Sequence, residues 1–384
     1  MGSVDKTKSI LLVGSMPPPF HGSSVYLKKL VSFLEQDGHL QSFVVDTSDK
    51  REDLNNMGRF DYRNIVAALK AIWDTILALK AHRPSVVYVP VSQNAGGYLR
   101  DGFLFIISKA FGSRVLIHLH GSNFRRFYGN SNFLVRTFID CTMREVDAAI
   151  VLGDKLQPIF KKWLPPEHIF VLPNFVNWSC KCSSRVERRD GEVVLTYLGN
   201  IRESKGIFEF LEAAHMTISN TERKIKFKVA GKFRDDPFTG MTEIQTISKF
   251  RAKASSIGPN IEYIGPVNEE SVKRELLEGT DIFVFPSWLE GQPLVILEAM
   301  SAGCPVISTK GVGAIDETVL DGFTGILVRQ KAVSELTNAM VKLVADDELR
   351  KKMSANALSE FKRRFTPEQH LREFKRIVDI VCAG

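Results

Sequence analysis

The chain has 384 residues, too many for one ordinary core and enough for two domains that each bury an apolar interior. Its 44% hydrophobic and 25% charged residues exclude a disordered chain, and no apolar run approaches the about 18 residues that a membrane-spanning helix needs. A formal charge of +7 and a pI near 9.0 favour anionic partners, whether nucleotide, nucleic acid or acidic lipid, without choosing among them.

From the N-terminus, Met1 to Lys8 reads as a frayed lead-in. The apolar SILLVG run after it is too short for a signal-peptide core, so a cytoplasmic protein is expected. Short apolar, β-branched runs then alternate with helical stretches: Ile10 to Val13, Phe43 to Val45, Val86 to Val89, Val115 to His120, Ala148 to Leu152 and Ile169 to Leu172. A second series follows at Val193 to Leu198, Phe227 to Gly231, Ile261 to Gly265, Ile282 to Phe285, Val306 to Ser308 and Gly325 to Val328. Strands alternating with helices predict parallel sheets covered on both faces, and the fold class is α/β with two Rossmann-like halves. The polar, aperiodic stretch 179–191 reads as the linker between domains at 1–178 and 192–365. Residues 366–384 contain a helix with apolar positions at 371, 374, 377, 378 and 381, expected to pack back on the N-terminal domain.

Five cysteines, at 141, 180, 182, 304 and 382, make no disulfide framework, and the lone Cys180-x-Cys182 pair has too few companions for zinc. Ligands of open α/β sheets bind at the carboxyl ends of the strands, so two such domains facing one another would enclose a cleft. After the first strand, Gly14, Gly22, Ser23 and Ser24 precede a helix start near Ser24. This loop suits a ligand approach or a plain turn, and its spacing does not fit G-x-G-x-x-G. His120-Gly121 ends the fourth strand, where the histidine can serve as a relay or as a satisfied structural residue; His118 reads as core. Arg125, Arg126, Phe127 and Tyr128 form a basic and aromatic loop cluster.

In the second half, Gly199 ends a strand, and Arg202 and Lys205 precede a helix start at Gly206. Two cations beside a helix N-terminus suit a phosphate. The segment FVFPSWLEGQPLVILEAM predicts a strand, a loop through Glu290, and a helix with Pro293 at or near its first position. Gly291 and Gln292 then leave amides at the helix start, and Glu298 lies about a turn and a half further on. Such carboxylates either grip paired hydroxyls or merely complement the helix.

Glu290 and Glu298 in an E-x7-E frame, followed by AMSAGCPVI and by GVGAIDETVLDGFTGILV at 311–328, resemble the C-terminal signature of retaining, nucleotide-sugar-dependent glycosyltransferases of family 4, with the GT-B fold. The likeness is strongest over 193–330. It implies that Glu298 binds the donor ribose, Glu290 contacts the donor sugar, and Arg202 and Lys205 neutralise the diphosphate. It also implies that the amides of Gly291, Gln292, Leu294 and Val295 around Pro293 hold phosphate and sugar oxygens, and that Pro266 and Val267 border the base. His120 would line the cleft near the transferred sugar, the Gly22 loop would approach donor phosphate or acceptor, and Gly199 would end the strand at the donor. Where many members have Gly-Arg after this strand, the chain has Gly199-Asn200, with arginine two residues later.

The resemblance implies a UDP or GDP sugar as donor, a sugar or lipid-linked sugar as acceptor, and retention by attack on the face that the phosphate leaves. Asp235-Asp236 lacks D-x-D spacing and reads as a turn, so no metal cofactor is expected. Lys28-Lys29, Lys161-Lys162 and Arg125-Arg126 fit either an anionic membrane surface or an ordinary basic surface. A sugar-nucleotide epimerase, a phosphorylase and a non-catalytic sugar-nucleotide binding subunit share the architecture. The scattered basic residues and missing aromatic platform argue against nucleic acid.

Overall fold

A computed structural model describes residues 8–18, 22–38, 40–48, 62–178 and 191–383. The chain forms two compact units, one containing the residues up to Asn174 together with those from Pro367, the other Phe175–Thr366. The Cys180-x-Cys182 pair, linker residues 179–190 and most of the lead-in lie outside the described residues. Cys141, Cys304 and Cys382 are free thiols.

The first unit runs β1 (Ser9–Gly14), α1 (Gly22–Asp37), β2 (Gln41–Asp46), α2 (Tyr62–His82), β3 (Val86–Pro90), α3 (Ala95–Ala110), β4 (Arg114–Leu119), α4 (Phe124–Asn130), α5 (Phe133–Thr142), β5 (Ala148–Val151) and β6 (Ile169–Val171). The second runs β7 (Val193–Leu198), α6 (Ile207–Ser219), β8 (Ile225–Ala230), α7 (Glu243–Ile257), β9 (Ile261–Gly265), α8 (Glu270–Glu278), β10 (Ile282–Phe285), α9 (Leu294–Ser301), β11 (Val306–Thr309), α10 (Ile315–Thr318), β12 (Gly325–Val328), α11 (Val333–Ala345) and α12 (Asp347–Arg364). The last helix, α13 (Pro367–Ala383), belongs to the first unit.

Each unit has one six-stranded, all-parallel sheet, in the orders β2-β1-β3-β4-β5-β6 and β12-β11-β10-β7-β8-β9. Central strands are covered on both faces, which is why they read as unbroken apolar runs: β1 and β7 are buried at every residue, whereas the edge strands β2 and β9 are largely open. The α/β fold expected from the sequence is the fold observed.

The chain passes into and out of the second unit side by side, where the Val176 amide donates to the Phe365 carbonyl at 3.1 Å. Val176 and Trp178 already pack in the core of that unit. Helix α13 buries Phe374, Ile377, Val378 and Val381 against α1, β3 and β4, and Leu371 is half-buried. At the sheet's carboxyl edge, Gly199 and Gly231 sit at φ 154° and 147°, and a Cβ on Gly231 would collide with the Gly199 carbonyl. Gly231→Ala should therefore lower unfolding free energy by about 1–3 kcal/mol, measured by urea denaturation.

Candidate functional site

In the second unit, the loops leaving β7 and β10 are bound into one body. After Gly199, Ile201 pairs with the chain following β8 through its amide and the Lys232 carbonyl (2.9 Å). Asp236 clasps the next turn: one carboxylate oxygen accepts from the Ser204 amide at 2.6 Å and the other from the Phe238 amide at 2.9 Å. Burial opposes ionisation of Asp236, and these hydrogen bonds outweigh it and hold its carboxyl below the usual range. Asp235-Asp236 is the turn expected, and its second carboxylate also fixes the segment carrying Arg202 and Lys205. Among the described residues no three acidic, histidine or cysteine side chains cluster as a metal site would require.

Lys205 Nζ donates to Glu290 Oε1 at 2.5 Å and to the Leu289 carbonyl at 3.1 Å, and Ser287 Oγ donates to the same Glu290 oxygen at 3.0 Å. The Trp288 amide donates to the Ser204 carbonyl (2.9 Å). Gly206, left-handed at φ 73°, lets the two loops touch, since a Cβ there would strike the Pro286 carbonyl. Gly313 (φ 51°) does the same for the loop after β11 against the Glu290 and Gly291 carbonyls, with Ala314 N donating to Gly291 O at 2.7 Å. Arg202 stands half-buried at the edge of this body. Burial pushes its guanidinium below its ordinary value against the pull of Asp236, and its Nε has no hydrogen-bond partner among the described residues.

Helix α9 starts at Leu294, and Pro293, expected at or near its first position, is its cap: φ −68° suits either position, but ψ 121° is extended and places it outside the helix. Having no N–H, Pro293 offers a ligand no donor, and the first-turn amides are those of Leu294 and Val295, both half-buried. Gln292 is buried, and its side-chain amide donates to Thr318 Oγ1 at 2.8 Å, which ties the start of α9 to α10. Pro266 is exposed and Val267 half-buried after β9.

Glu298 is only 5% exposed in α9. Lys273 of α8 donates to its Oε1 at 2.7 Å, while its buried Oε2 has no partner among the described residues. A buried acceptor without a protein donor takes its hydrogen bond from a water or from a ligand. Lys273 was not legible as a site residue, because in sequence it is one charge on the amphipathic α8.

In the first unit, His120, just after β4, belongs to a chain of rings drawn from α1, β3, β4 and α13. Tyr88 Oη lies 2.8 Å from His118 Nδ1 and 3.3 Å from His120 Nε2, and Tyr26 Oη lies 2.8 Å from His370 Nε2. His370 Nδ1 is 2.8 Å from the Pro173 carbonyl. A carbonyl only accepts, so His370 carries its proton on Nδ1 and Tyr26 must donate to Nε2. Tyr88 Oη thus stands between the two β4-end histidines, and His118 Nε2 has no hydrogen-bond partner among the described residues. Burial depresses His118 well below the usual histidine range and His370 to about 3, so both stay neutral. His118 is core, as its position implied.

Gly22 begins α1, two residues earlier than expected, and no described protein atom lies within 4 Å of where its Cβ would stand. Beyond β3 and β4, a hollow of about 430 Å³ is lined by Gln93, Asn94, Asn123, Arg126, Phe127 and Asn132, among others. The side-chain carbonyl oxygens of Gln93, Asn94 and Asn132 accept from the backbone amides of Asn123, Gly97 and Val135, which fixes these three amides at the hollow's edge.

Residues 183–360 match the family model described as glycosyl transferases group 1. The α-D-kanosaminyltransferase of Streptomyces kanamyceticus is 23% identical over 270 residues, 66% of this chain and 67% of that protein. Sucrose-phosphate synthase from Thermosynechococcus elongatus superposes with a TM-score of 0.73 at 16% identity over 98% of this chain and 99% of its own. The Anabaena protein HepE, solved with UDP, gives 0.71 at 15% identity over 97% and 100%. The fold is GT-B, and the family match over the C-terminal half supports a glycosyltransferase.

The His370 tautomer tests the ring chain. Two-bond 1H–15N correlations should find His370 as the Nδ1–H tautomer, its proton on the Pro173 carbonyl and its Nε2 accepting from Tyr26; an Nε2–H tautomer would contradict the derived polarity.

Proposed function

We propose that the protein moves a sugar from a UDP or GDP sugar to an acceptor hydroxyl with retention of anomeric configuration, without a metal, in polysaccharide or glycolipid assembly at the cytoplasmic side of a membrane. The observation that carries this reading is Glu298: a buried carboxylate with one oxygen on Lys273 and the other without a partner. Paired ribose hydroxyls supply the two donors that such a group accepts. The complex of HepE with UDP supports a uridine nucleotide as the first candidate.

Breaking the anomeric bond sends negative charge onto the diphosphate and leaves oxocarbenium character on the sugar. Lys205, Arg202 and the Leu294 and Val295 amides are the groups that answer the first change. By analogy with an oxyanion hole, each contributes about 2.7–4 kcal/mol to the transition state. Lys205 is held by Glu290, so an incoming diphosphate competes for it and leaves Glu290 available to the donor sugar. Pro266 and Val267 border the base, and Gly199, Gly291 and Gln292 act through backbone. The side chain of Gln292 has a structural partner instead. His120 and the Gly22 loop stand on the acceptor-side unit, and the amide-edged hollow offers hydrogen bonds to acceptor oxygens.

Nucleotide binding and sugar transfer separate the two glutamates. Glu298→Ala should weaken UDP or GDP binding about 10- to 100-fold, the worth of one or two hydrogen bonds to a charged group, read by calorimetry. Glu290→Ala should leave that affinity within about threefold and lower kcat about 100-fold or more. NMR of the product should show the donor's anomeric configuration, and activity should survive EDTA. An inverted product, or loss restored by manganese, would refute the corresponding part.

A further inference from the structure

The helical layer on one side of the first sheet is apolar on its outer side as well as its inner side. The connections β2 to β3, β3 to β4 and β4 to β5 all step the same way across the sheet, and right-handed crossover places α2, α3 and α5 on one face. Helix α2 packs on α3, and α3 on α5. Buried Ala71, Thr75 and Leu79 form the inner side of α2. Its outer side carries Ile65, Val66, Leu69, Leu77 and Trp73, the last 61% exposed. Phe103 and Ile106 continue the surface on α3, and Phe133 and Leu134 stand 79% and 76% exposed at the start of α5.

Among the described residues of these helices, the exposed charged side chains are Lys70, Lys80 and Arg136, and none of Asp74, Asp101 and Asp140 is exposed. An ordinary soluble surface mixes both signs and shows no apolar patch of this extent. Large apolar residues with a tryptophan, bordered by cations alone, are the chemistry of a helix lying in the interface of an anionic bilayer. A second copy of the chain would bring the same cations against one another, so charge disfavours that occupant.

We propose that this face of α2, α3 and α5 docks on an anionic lipid bilayer. Asn132 and Val135, on either side of Phe133 and Leu134, line the amide-edged hollow. The bilayer would therefore hold the hollow at the level of lipid head groups, and the acceptor class is a sugar or phosphate head carried on a membrane lipid. This last step rests on the transferase reading; the docking itself does not.

The test is flotation of the full chain with vesicles of phosphatidylcholine alone or with 30 to 40% phosphatidylglycerol, about one third. The protein should float with the anionic vesicles at low salt, with a blue-shifted tryptophan emission quenched by brominated acyl chains and absent in Trp73→Phe. The double variant Phe133→Glu with Leu134→Glu, and separately Trp73→Glu, should reduce flotation tenfold or more with melting temperature and UDP stabilisation unchanged. No flotation at low salt, or flotation indifferent to these substitutions, would overturn the proposal. So would a dimer in sedimentation velocity that the substitutions dissolve. If flotation behaves as stated but UDP gives no stabilisation, the bilayer seat stands and the transferase reading falls.

Discussion

A carboxylate packed within an apolar helix needs a donor for each oxygen, and among the described residues Glu298 has one donor for two. Removing a carboxylate from water without full compensation costs several kcal/mol, so its second oxygen calls for a donor from water or a ligand. The surrounding structure is arranged to keep that position. Helix α9 packs through Ile296, Leu297, Ala299 and Met300, its start is tied to α10 by Gln292, and α8 is close enough to supply Lys273.

The same economy governs the neighbouring loops. Glycines at 206 and 313 let three loop backbones touch, and Asp236 and the Lys205–Glu290 pair fix them without side-chain bulk. An ion pair of this kind gives little stability on balance, because both partners lose water. Its value lies in holding a cation and a carboxylate ready to exchange partners. In the first unit, the Pro173 carbonyl sets the proton of His370 and, through it, the direction of the Tyr26 hydroxyl.

The sheets were legible because strands buried on both faces must be apolar throughout, and each of the twelve lies where an apolar run lies. Glu290, Glu298, Arg202 and Lys205 could be singled out because they follow strand ends. What escaped was set by tertiary packing. Lys273 meets Glu298 only when α8 folds beside α9, and Tyr26, Tyr88, His118 and His370 come from four elements whose meeting has no local sequence signal. The bond from the Gln292 side chain to Thr318 likewise has no local signal, and Pro293 takes the cap position because ψ, unlike φ, is not fixed by the ring. The outward apolar side of α2 was hidden by its inward one: a helix apolar all round reads simply as core.

The central claim is that the open oxygen of Glu298 receives a ribose hydroxyl. The direct measurement is a double-mutant cycle in binding, with UDP and 2′,3′-dideoxy-UDP each titrated into the parent protein and into Glu298→Ala. The account predicts that losing the hydroxyls weakens binding to the parent protein about tenfold or more and makes little further difference in the variant. Equal losses in both proteins would show that Glu298 and the ribose do not meet.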